Sequence, residues 1–155
     1  MPLWPMRVQN QIVWSDFCLM PTQPGRHPVS EAVFRQIVLA DQAYVLKLID
    51  LLQRQGTRLI AVSPPGLFRD HGTVRKMPGP AALHMFQAYR TIMVDQLVAR
   101  AVPIVDIPRQ CLDAEGYMES AYRSEDSGDH HHANAAFGAL MIDQIVRLVA
   151  GLPNV

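Results

Sequence analysis

Two short apolar segments, Arg58-Leu59-Ile60-Ala61-Val62 and Pro103-Ile104-Val105-Asp106-Ile107, decide the fold class of this chain. Both are rich in β-branched residues, and the first lies between Gly56 and Pro64-Pro65, which predicts buried strands. Residues 81–101 between them carry apolar side chains at helical spacing. An order of strand, helix and strand is typical of parallel α/β proteins, and strands without polar alternation indicate a sheet that helices cover on both faces.

The flanking sequence continues this alternation. Residues 30–55 predict a long helix with Ser30 as its N-cap and a break or bend near Ala40-Asp41, and residues 135–149 predict the last helix. A further strand is predicted to end near Trp14. We therefore expect a single domain over residues 1–155, a three-layer α/β/α sandwich with a parallel sheet. Long loops follow all three strands, so polar loop residues should gather at the carboxyl edge of the sheet.

Composition excludes several classes of function. The 155 residues carry 14 basic and 14 acidic side chains without a basic run, so neither nucleic acid nor an acidic membrane surface is an expected partner. No apolar run approaches the roughly 20 residues that span a bilayer. The start, Met1-Pro2-Leu3-Trp4-Pro5, lacks the features of a signal peptide, so a cytoplasmic protein is expected if Met1 is the natural start. No phosphate-binding or dinucleotide motif occurs, and no cofactor is expected.

The most informative polar stretch is Asp129-His130-His131-His132-Ala133-Asn134-Ala135-Ala136-Phe137-Gly138. It joins a loop rich in Gly and Asp to the last predicted helix, and Asp129 precedes His132 by three residues. A carboxylate at this distance can orient an imidazole and stabilise its charged form. Two alternatives remain open, a capping Asp beside an exposed loop His, and a metal site formed by the three histidines.

Asp129-x-x-His132-x-Asn134-x-x-Phe137-Gly138 resembles the last signature block of the SGNH/GDSL serine hydrolases. The order of predicted elements over residues 11–149 is similar to that family, whose fold is related to flavodoxin. The resemblance implies that Asp129 is the orienting carboxylate and His132 the general base of a Ser-His-Asp triad. It also implies a structural role for Asn134, at the opening of the helix, and a small-molecule ester as substrate.

The chain departs from that family in its first half. No Gly-Asp-Ser occurs, and Asp126-Ser127-Gly128 lies on the same loop as His132, in the wrong order for a nucleophile. Trp14-Ser15-Asp16-Phe17 is the nearest match to the third block, so Ser15 or Asp16 would mark an oxyanion-hole position. On this alignment the fold is N-terminally incomplete, and the chain is either a fragment or a degenerate relative of the family. An apolar sheet edge would then be exposed, through which the chain could form a homo-oligomer.

Other candidate nucleophiles are less specific. Ser15 and Ser63 stand at predicted strand ends, where an ordinary turn serine is the simpler interpretation. Cys18 is a distant thiol alternative, and it and Cys111 match no metal or redox spacing. Arg69-Asp70-His71 could contact substrate or form a surface ion pair. We therefore expect an ester hydrolase that is inactive as this chain alone, or alternatively a binding or assembly module that retains the fold without the chemistry.

Overall fold

The computed structural model describes residues 17–18, 27–74 and 77–151, with side chains from residue 29 onward. This part of the chain is a mixed α/β structure with four α-helices and two small parallel sheets of two strands each. The helices are α1 (Glu31–Asp41), α2 (Ala43–Arg54), α3 (Gly79–Val98) and α4 (Ala135–Ala150). The strands are β1 (Phe17–Cys18), β2 (His27–Pro28), β3 (Ala61–Val62) and β4 (Ile104–Val105).

The unit β3–α3–β4 confirms the parallel alternation predicted from the sequence. β3 and β4 pair in parallel, with Ala61 opposite Ile104 and Val62 opposite Val105. Parallel strands cannot be joined by a tight turn, and the 20-residue helix α3 makes the crossover between them. Each strand is only two residues long, so the predicted five-residue strands were too long. One larger sheet covered by helices on both faces stays a prediction.

The first predicted strand and the candidates Ser15 and Asp16 lie outside the described residues. Directly after them, β1 pairs in parallel with β2, with Phe17 opposite His27. β2 lies in the long loop predicted after the first strand, where the prolines of residues 21–28 argue against a strand. A proline that cannot donate to a ladder is still accepted at a strand edge, which explains why Pro28 does not exclude this strand.

The break or bend predicted near Ala40-Asp41 is an interruption of one residue, Gln42, between α1 and α2. Ser30 caps α1 as expected, its Oγ accepting from the Val33 N–H at 3.3 Å. Gln42 separates the two helices, and its side chain is buried and donates to Asp41 Oδ2 at 3.0 Å. Gly56, at φ +75°, ends α2 in the left-handed conformation that glycine adopts at no steric cost.

Helix α3 is the centre of the core. Nine of its 20 residues are buried, among them Leu83, Phe86, Tyr89, Met93 and Leu97 of the predicted apolar face. They pack against α1 and α2 on one side and against the loop after β3 on the other. Each large buried side chain contributes roughly 1.5–3 kcal/mol by leaving water. This packing holds the loop after β3 in place.

Helix α4 is the last helix of the described residues, and it ends at Ala150, one residue after its predicted end. Its inner face buries Phe137 and Met141 against β4, while Ile142, Val146 and Val149 on the outer face are exposed. Among the described residues, none of the helices combines the length and apolarity that crossing a membrane requires.

Candidate functional site

The Asp129 loop, residues 124–132, has its two ends held together directly before α4. Arg123 and Ala133 form an isolated antiparallel bridge, and the Ser124 N–H donates to the His132 carbonyl at 3.1 Å. Asn134 then caps α4, its Oδ1 accepting from the Phe137 N–H at 3.2 Å. Its Nδ2 also donates to the Ala121 carbonyl at 2.8 Å. The loop is therefore held between two anchored ends, and Asn134 fixes the end that joins α4.

The structure brings Asp129 and His132 together as a hydrogen-bonded pair. His132 Nδ1 lies 2.8 Å from Asp129 Oδ2. The second carboxylate oxygen, Asp129 Oδ1, accepts from the backbone N–H groups of His131 at 2.9 Å and of His132 at 3.0 Å. Since the carboxylate accepts and Nδ1 donates, the remaining nitrogen of a neutral His132, Nε2, carries the lone pair. The His132 side chain is 80% exposed, so this lone pair is accessible.

The same contacts keep Asp129 ionised. The backbone N–H of His131 is the largest cause of a pKa well below the usual range of an aspartate, and the His132 N–H and ring add to it. These contacts outweigh partial desolvation, which acts in the opposite direction. Asp129 is therefore a fixed carboxylate at neutral pH, which is what orienting an imidazole requires.

The neighbouring His130 is held by Arg123 and Asp70. Arg123 Nη1 contacts Asp70 Oδ2 at 2.5 Å, and Arg123 Nη2 contacts His130 Nδ1 at 2.8 Å. His130 Nδ1 also lies 3.2 Å from Asp70 Oδ2, but it cannot donate there while it accepts from Arg123. An arginine only donates, and its contact is the shorter one, so we assign Nδ1 of His130 as the acceptor. The guanidinium thus joins the carboxylate and the imidazole.

His131, the middle histidine of the run, contacts the buried His71. His131 Nδ1 lies 2.8 Å from His71 Nε2, and the two rings meet edge to face with centroids 4.5 Å apart. His71 Nδ1 accepts from the Thr73 N–H at 3.1 Å. Burial, and to a lesser extent the nearby His131, lowers the pKa of His71 to about 4. At neutral pH His71 is therefore uncharged, with its proton on Nε2 and donated to His131.

Ser63 does not join this site. Its hydroxyl donates to Asp106 Oδ1 at 3.3 Å, and Asp106 also pairs with Arg90. Within the described part of the chain no serine hydroxyl is hydrogen-bonded to His132. The interpretation of Ser63 as a strand-end serine agrees with these contacts.

Two residues of the site, Asp70 and Arg123, were not predicted as partners of the histidines. Asp70-His71 had been noted only as part of a segment that could contact substrate or form an ion pair. Arg69 of that segment does form the ion pair, with Asp113 at 2.6 Å and Glu115 at 3.0 Å. The only available signal for Asp70 and His71 was that their loop follows a strand toward the same sheet edge.

The structure gives no support to a metal site formed by the histidine run. Over residues 29–74 and 77–151, no group of three or more His, Cys, Asp or Glu side chains is arranged to hold an ion. The three histidines point to three different partners instead. Cys111 is buried, which raises the pKa of its thiol, and the side chain of Cys18 lies outside the described part of the chain.

The Asp129–His132 pair lies on the surface rather than in an enclosed cavity. An apolar cavity of about 40 Å³ lies between α3 and the β3–β4 sheet, and its lining includes Ser63 but none of the histidines. A substrate enclosed at His132 would therefore require walls that the described residues do not supply.

Comparisons with protein-family models, with curated proteins and with solved structures find no match to this chain.

Proposed function

We propose that Asp129 and His132 are the general-base pair of an ester hydrolase of the SGNH/GDSL type. The observation that carries this proposal is the 2.8 Å bond between His132 Nδ1 and a carboxylate whose other oxygen is fixed by two backbone N–H groups. In the reaction, Nε2 of His132 takes the proton of an attacking hydroxyl and returns it to the leaving alcohol. Asp129 stabilises the imidazolium that forms and does not itself become protonated.

The nucleophile belongs to the part of the triad that the described residues do not contain. Because the sequence has no Gly-Asp-Ser, the proposal places the serine and most of the oxyanion hole on sequence outside this chain. On the same proposal, Ser15 or Asp16 would mark the remaining oxyanion-hole position. The parallel β3–α3–β4 unit supports the finer fold proposal, a three-layer α/β/α sandwich resembling the C-terminal two-thirds of that family.

Initial rates of p-nitrophenyl acetate hydrolysis test the proposal. Without the serine, the attacking hydroxyl is that of a water molecule, which His132 can still deprotonate, so the expected rate is low. General-base assistance contributes about 10²-fold or more, and His132→Gln should remove most of the residual rate. His84→Gln is the matched control, because His84 is an exposed histidine on α3 outside the site. A folded His132→Gln protein with the wild-type rate would refute the general-base role.

A second candidate function, a non-catalytic assembly module, is favoured by two exposed apolar stripes. Tyr44, Leu48 and Leu51 lie at spacings of four and three residues on α2, and Ile142, Val146 and Val149 repeat this spacing on α4. Val62 is also exposed on β3, which in the described residues pairs only with β4. Clustered exposed apolar side chains mark interaction surfaces, and an open strand edge can pair with another chain.

A further inference from the structure

Two consecutive residues of the loop after β3 contact two consecutive residues of the histidine run. Asp70 lies beside His130 and pairs with Arg123, and His71 contacts His131. The contacts Asp70–His130 and His71–His131 each join positions 60 residues apart in the chain. The loop that follows β3 and the loop that precedes α4 are therefore joined side by side, next to the Asp129–His132 pair.

The contact between His71 and His131 has a defined direction. The Thr73 N–H occupies Nδ1 of His71, which leaves Nε2–H as the donor to His131 Nδ1. His71 is only 8% exposed, and its loop packs against α3 through the buried Leu67. The donor is thus anchored in the core, whereas its acceptor lies on a surface loop.

His131 transmits this anchoring to the pair. The backbone N–H of His131 donates to Asp129 Oδ1, and the following residue is His132. A ring fixed by His71 restrains the position of that N–H, and the N–H in turn fixes the carboxylate that orients His132. Without the ring contact, the backbone N–H of His131 is still present, but its position is no longer restrained.

We propose that His71 is a positioning residue for the Asp129–His132 pair and that it acts through His131. Its catalytic meaning rests on the proposed hydrolase function, but the restraint itself is a property of the protein without substrate. No side chain of His71 or His131 takes part in the bond between Asp129 and His132. Their effect is on the fraction of time for which that bond is formed.

Nitrogen-15 NMR of the histidine rings tests the proposal, because it reports which ring nitrogen carries the proton. In the wild-type protein we expect His132 in the Nδ1–H form and His71 in the Nε2–H form. His131→Ala should lower the ratio of the Nδ1–H form to the Nε2–H form of His132 about threefold. A change of this size corresponds to the free energy of one weak hydrogen bond, which the lost ring contact would no longer contribute. His71→Leu should have the same effect. His71→Gln, which keeps a donor amide near the position of Nε2, should restore the ratio.

His84→Gln is again the control and should leave His132 unchanged. His131→Ala alters an exposed side chain, so it keeps the test valid even if His71→Leu fails to fold. An unchanged His132 ratio in His131→Ala would overturn the proposal. A His71→Gln protein whose His132 ratio falls as far as it does in His131→Ala would also overturn the proposal. Because no substrate is used, the outcome is independent of whether the protein hydrolyses esters.

Discussion

Asp129 and His132 form their pair because of local geometry, which is why the sequence could predict it. An aspartate accepts readily from the backbone N–H groups two and three residues ahead, and here it accepts from those of His131 and His132. This turn brings the imidazole of His132 back over the second carboxylate oxygen. His71 could not be predicted in the same way, because its contact with His131 depends on how two distant loops pack.

Because His71 is buried and uncharged, we expect the protein to lose stability in mild acid. The pKa of His71 is about 4 in the folded protein, against 6.5 for an unperturbed histidine. Between these values the unfolded chain binds more protons than the folded one, so the free energy of unfolding falls as the pH falls from about 6.5 toward 4, and the loss is complete below 4. His71→Gln should reduce this loss by about 1 to 2 kcal/mol between about pH 7.5 and about pH 5.

Urea unfolding of both proteins at the two pH values measures this difference, and other titrating groups cancel in the comparison. His84→Gln should retain the full wild-type pH dependence. Equal pH dependence in wild type and His71→Gln would show that His71 does not stay neutral in the folded protein.

The starts of α1 and α4 and the end of α2 were predictable because the signals that set them are local, whereas α3 was predicted at residues 81–101 and is Gly79–Val98. Ser30 and Asn134 accept from backbone N–H groups at the start of α1 and α4, and Gly56 ends α2 at a positive φ. Strand lengths were not predictable, because the apolar segments around β3 and β4 extend beyond the two residues that pair in each. A ladder depends on its partner strand, and this information does not lie within the segment itself.

The cap that Asn134 forms at the start of α4 should contribute measurably to the stability of the protein. Asn134→Ala removes the cap of Phe137 N–H and the bond to the Ala121 carbonyl, and should lower the free energy of unfolding by about 1 kcal/mol or somewhat more. Asn134→Asp keeps the acceptor at the cap and should recover part of the loss. Urea denaturation measures both variants. A loss below a few tenths of a kcal/mol for Asn134→Ala would contradict a capping role.

At the scale of the whole molecule, the alternation of strand and helix correctly predicted a parallel mixed fold. The number of strands and the layering stay predictions, because residues 1–16 and 19–26, which include the first predicted strand, lie outside the described part. The exposed stripes on α2 and α4 were also not foreseen. Leu48 continues the apolar helical spacing within residues 30–55, yet it is 52% exposed, because that face is wider than the core it packs on.

The stripe on α4 predicts self-association if the assembly function holds. Val146 is 60% exposed, and Val146→Glu should weaken association about tenfold, since burying one valine contributes roughly 1.5 kcal/mol. Sedimentation equilibrium over a range of protein concentrations measures this change. Ala136→Glu, at an exposed position of the same helix but off the stripe, is the control for added charge and should leave association unchanged. A wild-type protein that stays monomeric at every concentration would contradict self-association.

The central claim, that Asp129 and His132 act as one catalytic unit, is tested most directly by a double-mutant cycle on ester hydrolysis. Residues that act as a unit are strongly non-additive in their effects on rate. We predict that Asp129→Asn and His132→Gln each lower the p-nitrophenyl acetate rate, and that the double variant is no slower than His132→Gln alone. Effects that multiply in the double variant, or a rate that neither substitution changes, would contradict the claim.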